Sequence, residues 1–170
     1  KWISHPDFDS YWQGFYPDKA DYESFDLPIL SITGYFDGDQ PGAMKYYRDH
    51  MAFASERAKK KHYLLFGPWP HAGTRKPEEK VGGFEFGPDA KIDMVQLHLE
   101  WFNWTLKGGK KPEVLKDQVN YFEMNSNKWK SQKSLSAIST DTLQYYLSSV
   151  DSEANSVFNP GKLQINKAGK

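Results

Sequence analysis

The chain contains no cysteine among its 170 residues, which excludes disulfide bonds, thiolate metal sites and a cysteine nucleophile. It has no excess charge of either sign, since 22 basic residues balance 22 acidic ones. Proteins that bind nucleic acid draw much of their affinity from a basic surface, so we expect no nucleic-acid partner. Long apolar runs are also missing, and a membrane-spanning helix needs about 20 such residues. The sequence therefore predicts a soluble chain without a membrane partner, either cytoplasmic or exported.

Several catalytic motifs are absent as well. The sequence has no G-x-S-x-G nucleophile elbow, no phosphate-binding G-x-x-x-x-G-K-[ST] loop and no pair of histidines at metal-ligand spacing. We therefore expect neither a metal nor a cofactor. The chain starts at KWISHP without a methionine, and we interpret it as a piece of a longer protein.

Two apolar segments rich in β-forming residues stand out: LPILSITGYFDGD (27–39) and HYLLFGPWPHAG (62–73). Between them, Met44, Tyr47 and Met51 follow the spacing of an amphipathic helix that we expect to extend past residue 54. The pattern strand, helix, strand is typical of a parallel β-α-β unit. The loops that follow both strands then open at the same edge of the sheet, where α/β folds build their active sites.

Each of these loops carries one candidate catalytic residue, Asp37 after the first strand and His71 after the second. In α/β-hydrolases the triad follows the chain order Ser, Asp, His, and this pair has the matching order. Phe36 and Trp69 lie beside the motif residues and are candidates for contacts with substrate. Simpler interpretations stay open at this point. Asp-Gly forms turns without any catalysis, a loop histidine can be an ordinary surface residue, and both aromatic rings could face the core.

The second half of the chain changes character. A second amphipathic helix is indicated by apolar residues at helical spacing, and Gly108-Gly109 is expected to end it. These apolar residues are Ile92, Val95, Leu99, Phe102 and Leu106. Helical periodicity then disappears, and residues 119–124 and 143–147 look like strands. We therefore predict two domains, an α/β part over residues 1–109 and an all-β part over residues 117–170.

Several segments of the sequence, taken together, resemble the family of X-Pro dipeptidyl-peptidases, cocaine esterases, α-amino acid ester hydrolases and glutaryl-cephalosporin acylases. These segments are HPDFDSYW, LPILSITGYFDGD, HYLLFGPWPHAG, WTLKG and VNYFEMNSNKWKS. In that family a strand ending in glycine, two aromatic residues and aspartate supplies the triad acid, which corresponds to Asp37. A strand ending G-P-W-x-H supplies the triad histidine, which corresponds to His71. The stretch 84–86 points weakly to the ester hydrolase and acylase branch.

The resemblance implies the C-terminal half of an α/β-hydrolase sheet followed by the first strands of a jelly-roll β-sandwich. It implies a serine hydrolase that cleaves an ester or amide bond of a small acyl or aminoacyl substrate, with a serine that lies upstream of this chain. Without that serine we expect the 170 residues alone to be inactive. The alternative is a non-catalytic binding module on a degenerate hydrolase scaffold. The sequence predicts neither the substrate nor the oligomeric state.

Overall fold

The computed structural model describes residues 1–148 and 161–165, and the chain forms two compact units, Lys1–Leu135 and Ser136–Lys170. The strands of the chain are β1 (Ile29–Phe36), β2 (His62–Pro70), β3 (Lys80–Val81), β4 (Phe84–Glu85), β5 (Val119–Glu123), β6 (Lys128–Gln132), β7 (Tyr146–Ser148) and β8 (Lys162–Gln164). The helices are α1 (Ser10–Gln13), α2 (Lys19–Ser24), α3 (Gln40–Phe53), α4 (Glu56–Lys59) and α5 (Met94–Lys107). The fold is therefore of the mixed α/β kind.

The main sheet has the strand order β1-β2-β5-β6. β1 and β2 are parallel, with Ile29 opposite His62, and α3 connects them as the sequence predicts. β5 runs parallel to β2, with Leu64 opposite Val119, and β6 returns antiparallel to β5. Because β1, β2 and β5 all run in the same direction, their carboxyl ends share one edge of the sheet. The loops at this edge carry the candidate site.

The helix between β1 and β2 is shorter than the sequence predicts. α3 ends at Phe53 because Ala54 adopts an extended backbone conformation. Ser55 then starts α4, and its hydroxyl accepts a hydrogen bond from the Ala58 amide at 3.2 Å. A serine at this position is a strong N-cap, so a new helix begins in preference to the first one continuing.

The buried face of α5 differs from the prediction. Met94, Leu97 and Trp101 are buried against β2 residues such as Leu65. Within the described part of the chain, the apolar stripe predicted from the sequence faces outward except for Ile92, which packs against the same core. The exposed residues of that stripe are Val95, Leu99, Phe102 and Leu106. Both sets have helical spacing, and only the larger tryptophan-containing face packs on the sheet. α5 ends as predicted, because Gly108 adopts the left-handed conformation at φ 70°.

The sheet continues across the predicted domain boundary between residues 109 and 117. β5 and β6 lie beyond that boundary, yet β5 pairs with β2 and β6 pairs with β5, and the contacts divide the chain only after Leu135. The connecting segment is anchored by the buried side chain of Leu115, and Gln118 donates a hydrogen bond to the Lys59 carbonyl at 2.7 Å. The assignment of residues 117–170 to a jelly roll stays a prediction.

In the second unit, β7 and β8 form an antiparallel pair, with Leu147 opposite Leu163. The strand predicted over residues 143–147 is thus observed as Tyr146–Ser148. The rest of the predicted all-β region, residues 149–160 and 166–170, lies outside the described residues. Within the part of the chain that the structure describes, no helix has both the length and the apolar character to cross a membrane.

A buried polar cluster lies under α3, on the side of the sheet away from α5. Nδ1 of His62 lies 3.1 Å from Nδ1 of His50, and Nε2 of His62 lies 2.8 Å from Oγ of Ser31. Burial and the neighbouring His50 lower the pKa of His62 to about 3. These histidines are therefore neutral parts of the core at ordinary pH.

Candidate active site

Asp37 lies just after β1, and its side chain is held by the turn that follows. Oδ1 of Asp37 accepts a hydrogen bond from the Asp39 backbone amide at 3.0 Å, and the Thr33 hydroxyl reaches Oδ2 at 3.5 Å. The carboxylate is only 5% exposed. A short polar side chain that bonds the backbone two residues on is typical of an Asx turn. The turn therefore fixes the orientation of the Asp37 carboxylate, whose oxygens can still accept further hydrogen bonds.

His71 follows Pro70 at the end of β2 and opens a short 3-10 turn, His71–Thr74. Its Nδ1 lies 3.1 Å from Oδ1 of Asp37. Because an ionised carboxylate only accepts hydrogen bonds, this contact requires a hydrogen on Nδ1, and in the neutral ring Nε2 then keeps its lone pair. The His71 side chain is 56% exposed, and Nε2 has no hydrogen-bond partner within residues 1–148 and 161–165. The structure thus brings the predicted pair together.

A bulge between β1 and β2 sets the positions of both residues. From Gly34 to Phe36 the chain advances two residues on β1, while the paired segment from Gly67 to Pro70 advances three on β2. Within the longer segment, the backbone of Trp69 lies very close to Gly34. A Cβ added at Gly34 would lie only 2.1 Å from the Trp69 carbonyl oxygen. β-bulges next to active sites re-aim the side chains that follow. Here the residues that follow are Asp37 and His71.

Trp69 and Phe36 have different environments. Trp69 is fully buried, and its indole Nε1 donates a hydrogen bond to the Ala90 carbonyl at 2.8 Å. Its contacts are those of a core residue, so this placement does not support the predicted contact with substrate. Phe36 is 39% exposed, and its ring lies 5.8 Å from Phe84 and 6.0 Å from Phe86. Of the predicted pair, Phe36 is the ring that a ligand can reach.

Asp39 is a site residue whose position the sequence does not reveal. Asp39 is the N-cap residue of α3, yet its side chain makes no capping hydrogen bond. Instead Oδ2 of Asp39 lies 3.3 Å from Nδ1 of His71. Asp37, Asp39 and His71 offer donor atoms within 4.8 Å of one another, a spacing that could hold a metal ion. The only sequence signal for this role is the D-G-D turn itself.

The comparisons with known proteins bear on the fold. No family model matches the chain, and no curated protein matches it significantly. Among solved structures, an aminopeptidase from the marine sediment archaeon Thaumarchaeota archaeon matches with a TM-score of 0.61 and 23% sequence identity. The match covers 77% of this chain and 21% of the aminopeptidase chain.

The chain therefore spans about a fifth of the length of this structural neighbour. At this level of identity the likeness shows a shared fold and nothing about activity. It does not show membership of the X-Pro dipeptidyl-peptidase family.

Proposed function

We propose that this chain is part of a serine hydrolase that cleaves an ester or amide bond of a small acyl or aminoacyl substrate. In this proposal His71 is the general base and Asp37 orients it. The observation that carries the proposal is the contact of 3.1 Å between Nδ1 of His71 and the buried Asp37 carboxylate, at the carboxyl edge of parallel strands. The structural likeness to part of an aminopeptidase supports the same class of fold.

The nucleophile of the proposed triad is a serine in a part of the protein outside these 170 residues. A serine hydroxyl becomes an effective nucleophile when a base within hydrogen-bond reach removes its proton. With the hydrogen on Nδ1, the lone pair of His71 Nε2 takes the serine proton as Oγ attacks the substrate carbonyl. Asp37 stabilises the imidazolium that forms. His71 then returns the proton to the leaving alcohol or amine, and water hydrolyses the acyl-enzyme by the same steps.

The architecture that accompanies this proposal is the C-terminal half of an α/β-hydrolase sheet followed by the start of a jelly-roll domain, as in the family that the sequence resembles. The parallel order of β1, β2 and β5 and the location of the acid and the histidine after consecutive strands both support it. The substrate in this proposal is a small molecule, and the reaction needs no cofactor.

Fluorophosphonate labelling of the longer natural polypeptide that contains this chain tests the proposal. We expect a covalent adduct on one serine, and we expect the His71→Ala variant to lose at least about a thousandfold in labelling rate, because removing the base of a triad costs most of its chemistry. His98→Ala is the matched control, since His98 is an exposed histidine on α5. Labelling that is absent, or equally fast in the His71→Ala variant, contradicts the proposal and favours a non-catalytic binding module.

A further inference from the structure

An apolar surface lies at the same edge of the sheet as Asp37 and His71. We refer to Phe36, Phe84, Phe86 and Met124 as the aromatic shelf. Phe36 ends β1 directly before Asp37, Phe84 and Phe86 lie on and just after β4, and Met124 follows β5. The carboxyl ends of β1, β2 and β5 share this edge, so the shelf and the catalytic pair lie at the same end of the parallel strands.

The rings of the shelf are held in fixed relation to one another. Phe84 stacks on Phe86 with a centroid distance of 6.3 Å, and Phe36 stacks on Phe84 at 5.8 Å. Phe86 is buried and makes an edge contact with Phe122 of β5 at 6.1 Å. The backbone amide of Phe86 also donates to the Glu79 carbonyl at 2.7 Å. The shelf is therefore anchored in the core at one end and open at the other.

Two apolar side chains form the exposed end of the shelf. Phe84 is 60% exposed and Met124 is 42% exposed. Together they line an open cavity of about 280 Å³ with Phe86, Glu85, Asn125 and Asn127. This volume is slightly below that of small-molecule pockets, which span roughly 300–1,000 Å³, and it suits one ring-sized group of a ligand.

The polar residues of this cavity leave it without an unpaired charge. The Glu85 carboxylate forms an ion pair with Lys80 across the β3–β4 hairpin. Asn127 donates to the Glu85 carbonyl at 3.5 Å, which links this hairpin to the β5–β6 turn. A neutral apolar group can enter such a cavity without breaking this ion pair, and it needs no polar partner of its own.

We propose that the aromatic shelf binds a neutral, ring-sized apolar group of the substrate and so makes the enzyme selective for substrates that carry one. This inference rests on the proposed hydrolase function, which it deepens by naming a substrate class. Phe36 connects the shelf to the catalytic pair, since it is the residue before Asp37 and touches both Phe84 and Phe86. Phe84, as the most exposed ring, is the specificity-determining residue.

The first test measures binding to the 170-residue chain and needs no catalysis. The probe is 4-fluorophenylacetamide, which is neutral and carries one ring, and the readout is ¹H–¹⁵N chemical-shift change. We expect shifts at Phe84, Phe86 and Asn127, and we expect the Phe84→Ala variant to weaken binding by about tenfold, comparable to the loss of a small apolar contact in a pocket. Phe102→Ala is the control, because Phe102 is an exposed ring on α5. Shifts that are absent or cluster elsewhere overturn the proposal.

The second test measures selectivity in the longer polypeptide. The ratio of kcat/KM for 4-nitrophenyl phenylacetate to that for 4-nitrophenyl acetate is compared in the natural protein, Phe84→Ala and Phe102→Ala. We expect Phe84→Ala alone to lower this ratio, by about tenfold. An unchanged ratio in an enzyme that still labels with fluorophosphonate overturns the shelf and leaves the hydrolase proposal standing. If the probe binds at the shelf but the protein does not label with fluorophosphonate, the shelf binds an apolar ring and the hydrolase proposal fails.

Discussion

The close approach of Gly34 to the Trp69 backbone gives the sharpest expectation for a single substitution. An alanine at position 34 would place its Cβ 2.1 Å from the Trp69 carbonyl oxygen and 2.8 Å from the carbonyl carbon. Both contacts are with backbone atoms, so no side-chain rotation relieves them. Gly34→Ala can be accommodated only if β1 and β2 separate at the bulge that precedes Asp37 and His71.

The cost of this separation follows from the size of the clash. Overpacking a filled site by one methyl group typically costs about 1–3 kcal/mol, and a clash with backbone belongs at the upper end. A loss of about 3 kcal/mol, with a urea m value of about 1.5 kcal/mol/M, lowers the midpoint of urea unfolding by about 2 M. The assay is equilibrium unfolding of the 170-residue chain in urea, followed by tryptophan fluorescence.

Gly42→Ala is the matched control for this experiment. Gly42 lies in α3, and an added Cβ there meets no atom within 4 Å. We expect this variant to be unchanged or stabilised by up to about 1 kcal/mol, because alanine is the better helix former. If Gly34→Ala unfolds at the same urea concentration as the natural chain, the close approach of the two strands at the bulge does not hold the two loops in place.

Three further experiments test other parts of the structure. Because burial lowers the pKa of His62 to about 3 from 6.5, the unfolded chain binds a proton that the folded chain does not, and the free energy of unfolding falls as pH drops from 6.5 towards 3. His62→Gln should reduce this slope in urea titrations, and an unchanged slope would contradict the burial of a neutral His62. Asp39→Asn should change the rate of fluorophosphonate labelling by no more than about threefold, whereas Asp37→Asn should lower it by about 10⁴-fold, as expected for a triad acid. Equal losses in the two variants would favour a site that needs both carboxylates, such as a metal site. Leu97→Ala on α5 should lower the free energy of unfolding by about 2–5 kcal/mol, whereas Leu99→Ala should change it by no more than about 0.5 kcal/mol. The reverse order in urea unfolding would show that the helix face predicted from the sequence is the buried one.

The pairing of the acid with the histidine was accessible to sequence reasoning because it depends on local patterns. β1 and β2 are short apolar runs with turn residues at their ends, and a single helix between them makes their parallel arrangement the expected one. Asp37 and His71 are then identified as candidates because each lies in the loop that follows one of these strands. That the two side chains meet at 3.1 Å follows from the bulge at Gly34, which no local pattern indicates.

The buried face of α5 was not accessible in the same way. This helix carries two apolar stripes at helical spacing, one with Leu97 and Trp101 and one with Leu99 and Phe102. Periodicity identifies a helix but does not choose between two such stripes. The choice depends on packing against Leu65 of β2, which is distant in sequence. For the same reason the continuation of the sheet into β5 and β6 became visible only in the structure.

Trp69 shows how a motif residue can serve the site without touching a ligand. Its position beside His71 suggested a wall of the substrate pocket, but its indole is buried and bonded to the Ala90 carbonyl. Its backbone forms the bulge against Gly34. Trp69 thus positions the loop that carries His71, and the exposed aromatic surface beside the Asp37–His71 pair comes from Phe36 and the β3–β4 hairpin.

The tautomer of His71 decides most directly whether Asp37 prepares this histidine to act as a base. It can be measured on the 170-residue chain by ¹⁵N NMR of the imidazole nitrogens near neutral pH, with the His71 signals assigned from the His71→Ala variant. In the neutral form of the ring we expect the hydrogen on Nδ1, with Nε2 unprotonated, and a loss of this preference in Asp37→Asn. A ring protonated at Nε2, or a tautomer preference that Asp37→Asn leaves unchanged, would contradict the assignment of the pair.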